Sequence, residues 1–178
     1  MNCIRQVAAA AALTSTLVVS AVALAQDKQH VKYQIPAENT RYVQQHVIDA
    51  GDFPGHKVRI FETHRVYPDG ALAFDGVKVV DEWGRGYSDY TDGSGRNWGY
   101  QVWNLSNGEK VFARWEATSQ TVFGPDGSKK ASGISSVMLT GGTGRFANIR
   151  GTLLGSYSFD PERGMNTNQS EGDYWFER

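Results

Sequence analysis

Turn signals recur along this chain at short, regular intervals, and that rhythm limits the fold more than any other feature. Asp69-Gly70, Asn107-Gly108 and Asp126-Gly127 are dipeptides that tolerate the positive φ of a tight hairpin turn, and Asp92-Gly93-Ser94-Gly95 is a longer version of the same signal. Between them lie segments rich in β-branched and aromatic residues, at about 56–67, 71–83, 85–91, 97–104, 109–123 and 129–140. Two more follow, at about 150–160 and 170–177, and helical periodicity is almost absent, so eight strands are expected. Antiparallel strands of this number and length, joined by hairpins, suit an all-β closed barrel whose interior is filled or holds one small ligand. Residues 26–55 read as an N-terminal arm or an extra strand, carried by R-Y-V-Q-Q-H-V-I-D, and 56–178 as a single barrel domain.

Residues 1–25 read as a cleaved signal peptide. Arg5 supplies a positive start, an uncharged apolar stretch runs from Val7 to Leu24, and Ala23-Leu24-Ala25 ends it with small residues where a signal peptidase inspects them. A membrane anchor is the rival reading, since spanning needs roughly 18–20 apolar residues. The alanine richness and the A-x-A site favour export to the periplasm or medium, with no stable membrane insertion after cleavage. Cys3, the one cysteine, would leave with the leader. The remaining chain then has no disulfide, no thiolate nucleophile and no cysteine metal site. Its 153 residues carry a formal charge of −2 and no basic run, which argues against a nucleic-acid partner.

The stretch V-M-L-T-G-G-T-G-R-F-A-N-I-R-G at 137–151 satisfies a G-x-G-x-x-A pattern through Gly142, Gly144 and Ala147. A dinucleotide loop needs a helix after the glycines to aim at a pyrophosphate. Here R-F-A-N-I-R reaches Gly151 after six residues, and T-L-L-G-S-Y-S-F alternates like a strand, so the glycines build a turn. The segment L-T-G-G-T-G-R-F-A-N-I-R-G-T-L-L-G-S-Y-S-F-D resembles one shared by dirigent proteins and allene oxide cyclases, through Gly141, Gly142, Thr143, Gly144, Phe146, Arg150 and Gly151. The resemblance implies an eight-stranded, calycin-like barrel, commonly a trimer, and extends to bacterial proteins of this type with no assigned activity.

The strand H-K-V-R-I-F-E-T-H-R-V-Y holds the first candidate site. Alternation puts His56, Val58, Ile60, Glu62, His64 and Val66 on one face, and Lys57, Arg59, Phe61, Thr63, Arg65 and Tyr67 on the other. Three basic residues mark the second face as the wetter one, so Glu62 and His64 are expected inside, as a catalytic pair able to exchange a proton with a ligand. The competing role is an ion pair that satisfies two buried polar groups. In the resemblance, the cyclases' Y-E-x-N element matches Phe61-Glu62-Thr63-His64, with His64 in place of the asparagine. His56 lies about 26 Å along the strand from His64, so these two share no metal, and Glu62 with His64 falls short of a metal site.

Aromatic residues give the second candidate. On 97–104, Trp98, Tyr100 and Val102 share one face and Gly99, Gln101 and Trp103 the other, so Trp98 and Tyr100 form either a ligand wall or an exposed platform for sugars or sister subunits. On 109–123, Val111, Ala113, Trp115 and Ala117 oppose Phe112, Arg114, Glu116 and Thr118. If the apolar face is interior, Arg114 and Glu116 are a surface pair; if it is a subunit contact, they line the pocket. No G-x-S-x-G elbow, H-E-x-x-H helix or phosphate loop is present. The expectation is a cofactor-free, metal-free exported barrel holding a small, largely apolar or aromatic ligand. It would act as a cyclase or isomerase, as a carrier, or as a surface-binding module using exposed aromatics, and as a possible homo-oligomer.

Overall fold

The computed structural model describes residues 27–160 and 165–178, so the expected leader lies outside the described residues. Ten strands run in chain order: β1 Gln29–Ile35, β2 Thr40–Asp49, β3 His56–Val66, β4 Ala73–Phe74, β5 Val77–Thr91, β6 Ser94–Leu105, β7 Lys110–Phe123, β8 Lys129–Gly142, β9 Ile149–Asp160 and β10 Met165–Phe176. They form one antiparallel sheet in the order β1-β10-β9-β8-β7-β6-β5-β3-β2, with β4 paired to β5 alone. The expected all-β, hairpin-joined class holds. The strand number differs: the described residues form ten strands rather than eight, and among them no ladder joins β1 to β2, so the sheet is not closed by hydrogen bonds there.

Two differences from the expected strands have physical reasons. The segment 71–83 is divided at Asp75-Gly76, whose positive φ values turn the short β4 back onto β5, and its remainder joins 85–91 in one long β5 because Gly84 continues the ladder, opposite Thr63 and Gln101. The arm supplies both ends of the sheet. β1 pairs with β10 and β2 with β3, and a single 3-10 turn at Ala37–Asn39 joins them. The hairpins follow the turn chemistry. Between β5 and β6, Asp92 and Gly93 sit at φ 50° and 80°, the two successive positive values a type I′ turn requires. At the glycine cluster β8 ends at Gly142, a 3-10 turn at Gly144–Phe146 seats the fully buried Phe146, and β9 starts at Ile149.

The inner face of the sheet is filled at one end only. Trp103, Phe74, Phe146, Ile35, Leu139 and Val111 are among its largest wholly buried side chains. Phe74 packs at 5.6 Å from Trp103 and edge-on at 5.3 Å to Tyr174. A register shift between Val79 and Asp81 brings Glu82, Gly84 and Ser88 of β5 onto this inner face. Beyond the level of Glu82, the inward residues become small or polar on β6, at Gln101, Gly99 and Asn97, and on β8, at Ser135 and Ala131.

Candidate functional site

A cavity of about 550 Å³ occupies the unfilled end. Its floor is a charged network bordering the packed core. Arg65 and Glu82, 7% and 3% exposed, face each other with Arg65 Nη1 donating to both Glu82 oxygens at 3.4 Å. The Tyr67 hydroxyl donates to Glu82 Oε2 at 2.7 Å and accepts from Trp103 Nε1 at 2.9 Å, while Arg65 Nε donates to Thr40 Oγ1 at 2.9 Å. Burial, reinforced by Glu82, pushes the Tyr67 phenol well above its ordinary value and raises that of Tyr33 beside it. Burial by itself would lower the Arg65 value, but Glu82 and the two tyrosines outweigh it and the net shift is upward. The floor is therefore built of two phenols held neutral by burial beside the Arg65–Glu82 ion pair.

The wall is built around Trp115 of β7. Its indole lies on a bed of glycines from β5 and β6: a Cβ on Gly86 would sit 2.5 Å from Trp115 Cζ2, and one on Gly99 would collide with Cη2. Trp115 Nε1 donates to Asn97 Oδ1 at 2.8 Å. The Asn97 amide in turn donates to the Tyr90 hydroxyl at 2.7 Å and to that of Tyr157 at 3.2 Å. Burial, then the neighbouring Tyr157, pushes the Tyr90 phenol upward. Phe61 of β3 lies 6.4 Å from Trp115, tilted by 45°.

Toward the mouth, Arg59 crosses the aromatic faces of Phe61 and Tyr42 at 4.7 and 5.1 Å. Its Nε donates to Ser88 Oγ at 3.2 Å and its Nη1 to Gln45 Oε1 at 3.2 Å. Lys57, Lys129 and Asp92 are the exposed charges at the opening. Among the described residues three buried side-chain polar atoms have no hydrogen-bond partner: Gln101 Oε1, Thr121 Oγ1 and Ser135 Oγ. All three residues line this cavity. Unmet buried polar groups cost stability, and the residues that carry them gather at this one cavity.

The expected site residues lie elsewhere. The face assignment of β3 is inverted: Arg59, Phe61, Thr63 and Arg65 line the cavity, whereas Glu62 and His64 do not. Glu62 pairs with Arg85 at 2.8 Å and accepts from Gln44 Nε2 at 3.2 Å. His64 bonds Asp81 through Nε2 at 3.0 Å and stacks on Trp83 at 4.4 Å, so Glu62 and His64 have separate polar partners. The basic residues face inward because the interior here is itself polar and partly open, with Glu82 and neutral acceptors to receive them. The outer face carries apolar Val58, Ile60 and Val66 instead.

Trp98 and Tyr100 are on the outer face too, 40% and 67% exposed, with Trp98 stacked on Tyr87 at 5.9 Å. The face of β7 carrying Val111, Ala113, Trp115 and Ala117 is interior, which puts Arg114 and Glu116 outside the cavity. Arg114 reaches the Met138 sulfur at 3.2 Å across the strand pair. Among the described residues, no three His, Cys, Asp or Glu side chains gather as a metal site would require.

The cavity residues that sequence reading missed left one signal. Gly84, Gly86 and Ser88 on β5 and Gly99 on β6 are small residues at every second position, and registration places Gly86, Gly99 and Trp115 in one row across three strands. The chain matches no protein-family model, no curated protein and no solved structure.

Proposed function

We propose that this chain holds one small molecule inside the sheet, as an exported carrier or binding protein of the periplasm or medium. The observation that carries this reading is that every described residue with an unpartnered buried side-chain polar atom lines the same cavity of about 550 Å³, a size typical of ligand pockets. Retention is favoured over turnover, because the floor carboxylate Glu82 is engaged by Arg65 and Tyr67. The finer architecture we read as a barrel closed by the chain itself: the short link between β1 and β2 brings the two ends of the sheet order together without a ladder. That reading agrees with the resemblance to the dirigent and allene oxide cyclase barrels. A trimer of this chain, as the resemblance implies, would use the outer face around the exposed Ile60, Tyr87, Trp98 and Tyr100.

The test is to recover the protein from its own host under native conditions and compare, by mass spectrometry, the small molecules released on heating with those of an unheated control. A compound released unchanged supports retention. A compound replaced by an isomer of equal mass makes the protein a cofactor-free isomerase, the alternative implied by the resemblance. Release of nothing, together with no binding of added aromatic compounds, overturns the cavity reading and leaves the exposed aromatics of the outer face as the binding surface.

A further inference from the structure

Arg59 differs from the other partly or wholly buried arginine of the inner face. Arg65 is neutralised by Glu82, and on other surfaces Arg85, Arg145 and Arg150 each meet a carboxylate. Arg59 lines the cavity, yet both of its hydrogen-bond partners, Ser88 and Gln45, are neutral, and no carboxylate among the described residues forms an ion pair with it. Its guanidinium is nevertheless held in place by two aromatic faces. A fixed, half-buried and uncompensated guanidinium is a ready anion site, and its planar fork suits a carboxylate. Lys57 and Lys129 add positive charge at the same opening, against Asp92.

The other two features lie deeper. Trp115 offers a flat surface, backed by glycine so that it cannot retreat, which suits stacking with a planar ring. Gln101 lines the cavity at 8% exposure and its amide oxygen is buried without a donor, so a turn of the amide about its last side-chain torsion offers an acceptor to an O–H or N–H of the occupant. Gln101 pairs with Gly84 and Gly84 with Thr63, four residues along β3 from Arg59. At roughly 3.3 Å per residue the anion end and the donor end are about 13 Å apart along the sheet.

Resting on the ligand-holding reading above, we propose that the cavity selects an elongated planar aromatic carboxylate bearing a hydroxyl or N–H at the far end. Arg59 takes the carboxylate, Trp115 stacks on the ring and Gln101 Oε1 accepts from the distal donor. The occupant is thus amphipathic, with charge toward the mouth.

Calorimetric titration of the processed protein with three matched probes tests this: 6-hydroxy-2-naphthoate, its methyl ester, and 2-naphthoate. The free hydroxy acid is expected to bind roughly 10- to 100-fold more tightly than the ester, the range of a charge-assisted hydrogen bond. Arg59→Gln should erase that preference, with the loss of affinity falling mainly on the free acid. Gln101→Leu removes an unpaired acceptor without creating another, so the fold should persist, and it should erase the preference for the hydroxy acid over 2-naphthoate. Equal binding of acid and ester by the wild type overturns the proposal and leaves the ligand-holding reading intact. An unchanged hydroxyl preference in Gln101→Leu overturns the assignment of the distal end. Failure of all three probes to bind overturns the proposal and, with it, the cavity as a binding site for aromatic molecules.

Discussion

The two ends of the inner sheet face are built by the same strands and pleats, yet one is solid and the other hollow. On β6, Leu105 and Trp103 are buried in the core, and the next inward positions are Gln101, Gly99 and Asn97. On β8, Leu139 and Val137 pack tightly, and Ser135 and Ala131 follow at the cavity. On β7 the change comes between Ala113 and Ser119, with Trp115 set against its glycine bed. Backbone alternation decides which face a residue takes, but side-chain size decides whether that face closes. Packing at one end supplies stability, and small or polar residues at the other leave room for an occupant.

The contrast can be broken by substitution at matched positions. Trp103→Ala removes a wholly buried indole that donates to Tyr67, and should cost about 3–5 kcal/mol by urea unfolding. Trp115→Ala, at a wall already open to the cavity, should cost less than about half of that. Equal losses would mean that the hollow end is packed as tightly as the solid one. Glu82→Gln leaves the buried Arg65 charge without its partner and should destabilise by roughly 3 kcal/mol, whereas Arg59→Gln, whose partners are neutral, should cost under about 1 kcal/mol.

A sharper version concerns the orphan hydroxyls. Ser135→Ala and Thr121→Val delete unmet polar atoms, so both variants should be as stable as the wild type or up to about 1 kcal/mol more stable. Clear destabilisation would show that those atoms are satisfied in the empty protein.

The smallest expected effect is at the rim. His56 links the β2–β3 loop to β5 through Asp52, at 2.7 Å to Nδ1, and Asp89, at 2.8 Å to Nε2. The Asp89 hydrogen bond, then the Asp52 bond, raises the imidazole above its ordinary value of 6.5. The associated stability is fully present below the unfolded imidazole value and is lost as pH rises through the higher folded one. Urea midpoints measured at several values from pH 6 to 9 should therefore fall slightly for the wild type and less for His56→Gln.

The class of fold was legible because hairpin turns need particular residues. Asp92-Gly93 is an example in which the dipeptide and the observed positive φ values agree. The division of β5 was misread because Gly84 looks like a break in isolation. Its reason lies across the ladder on β3, where a Cβ at Gly84 would come within 2.7 Å of Thr63 Oγ1. The site was misread on β3 for a related cause. Basic residues mark a wet face, but a cavity can be wet, and no local pattern on His56–Val66 announces that Glu82 waits opposite Arg65. Face assignment from one strand fails where the interior is polar. The rows formed across strands, such as Gly86, Gly99 and Trp115, carry the information instead.

Indole N–H resonances of the five tryptophans separate the regions in a single experiment, since Trp103 reports on the solid end, Trp115 on the cavity and Trp98 on the outer face. On titration with 6-hydroxy-2-naphthoate followed by nitrogen–proton correlation NMR, the Trp115 indole should shift strongly while those of Trp103 and Trp98 stay in place. A shift confined to Trp98 would put the ligand on the outer face and contradict the cavity as the binding site.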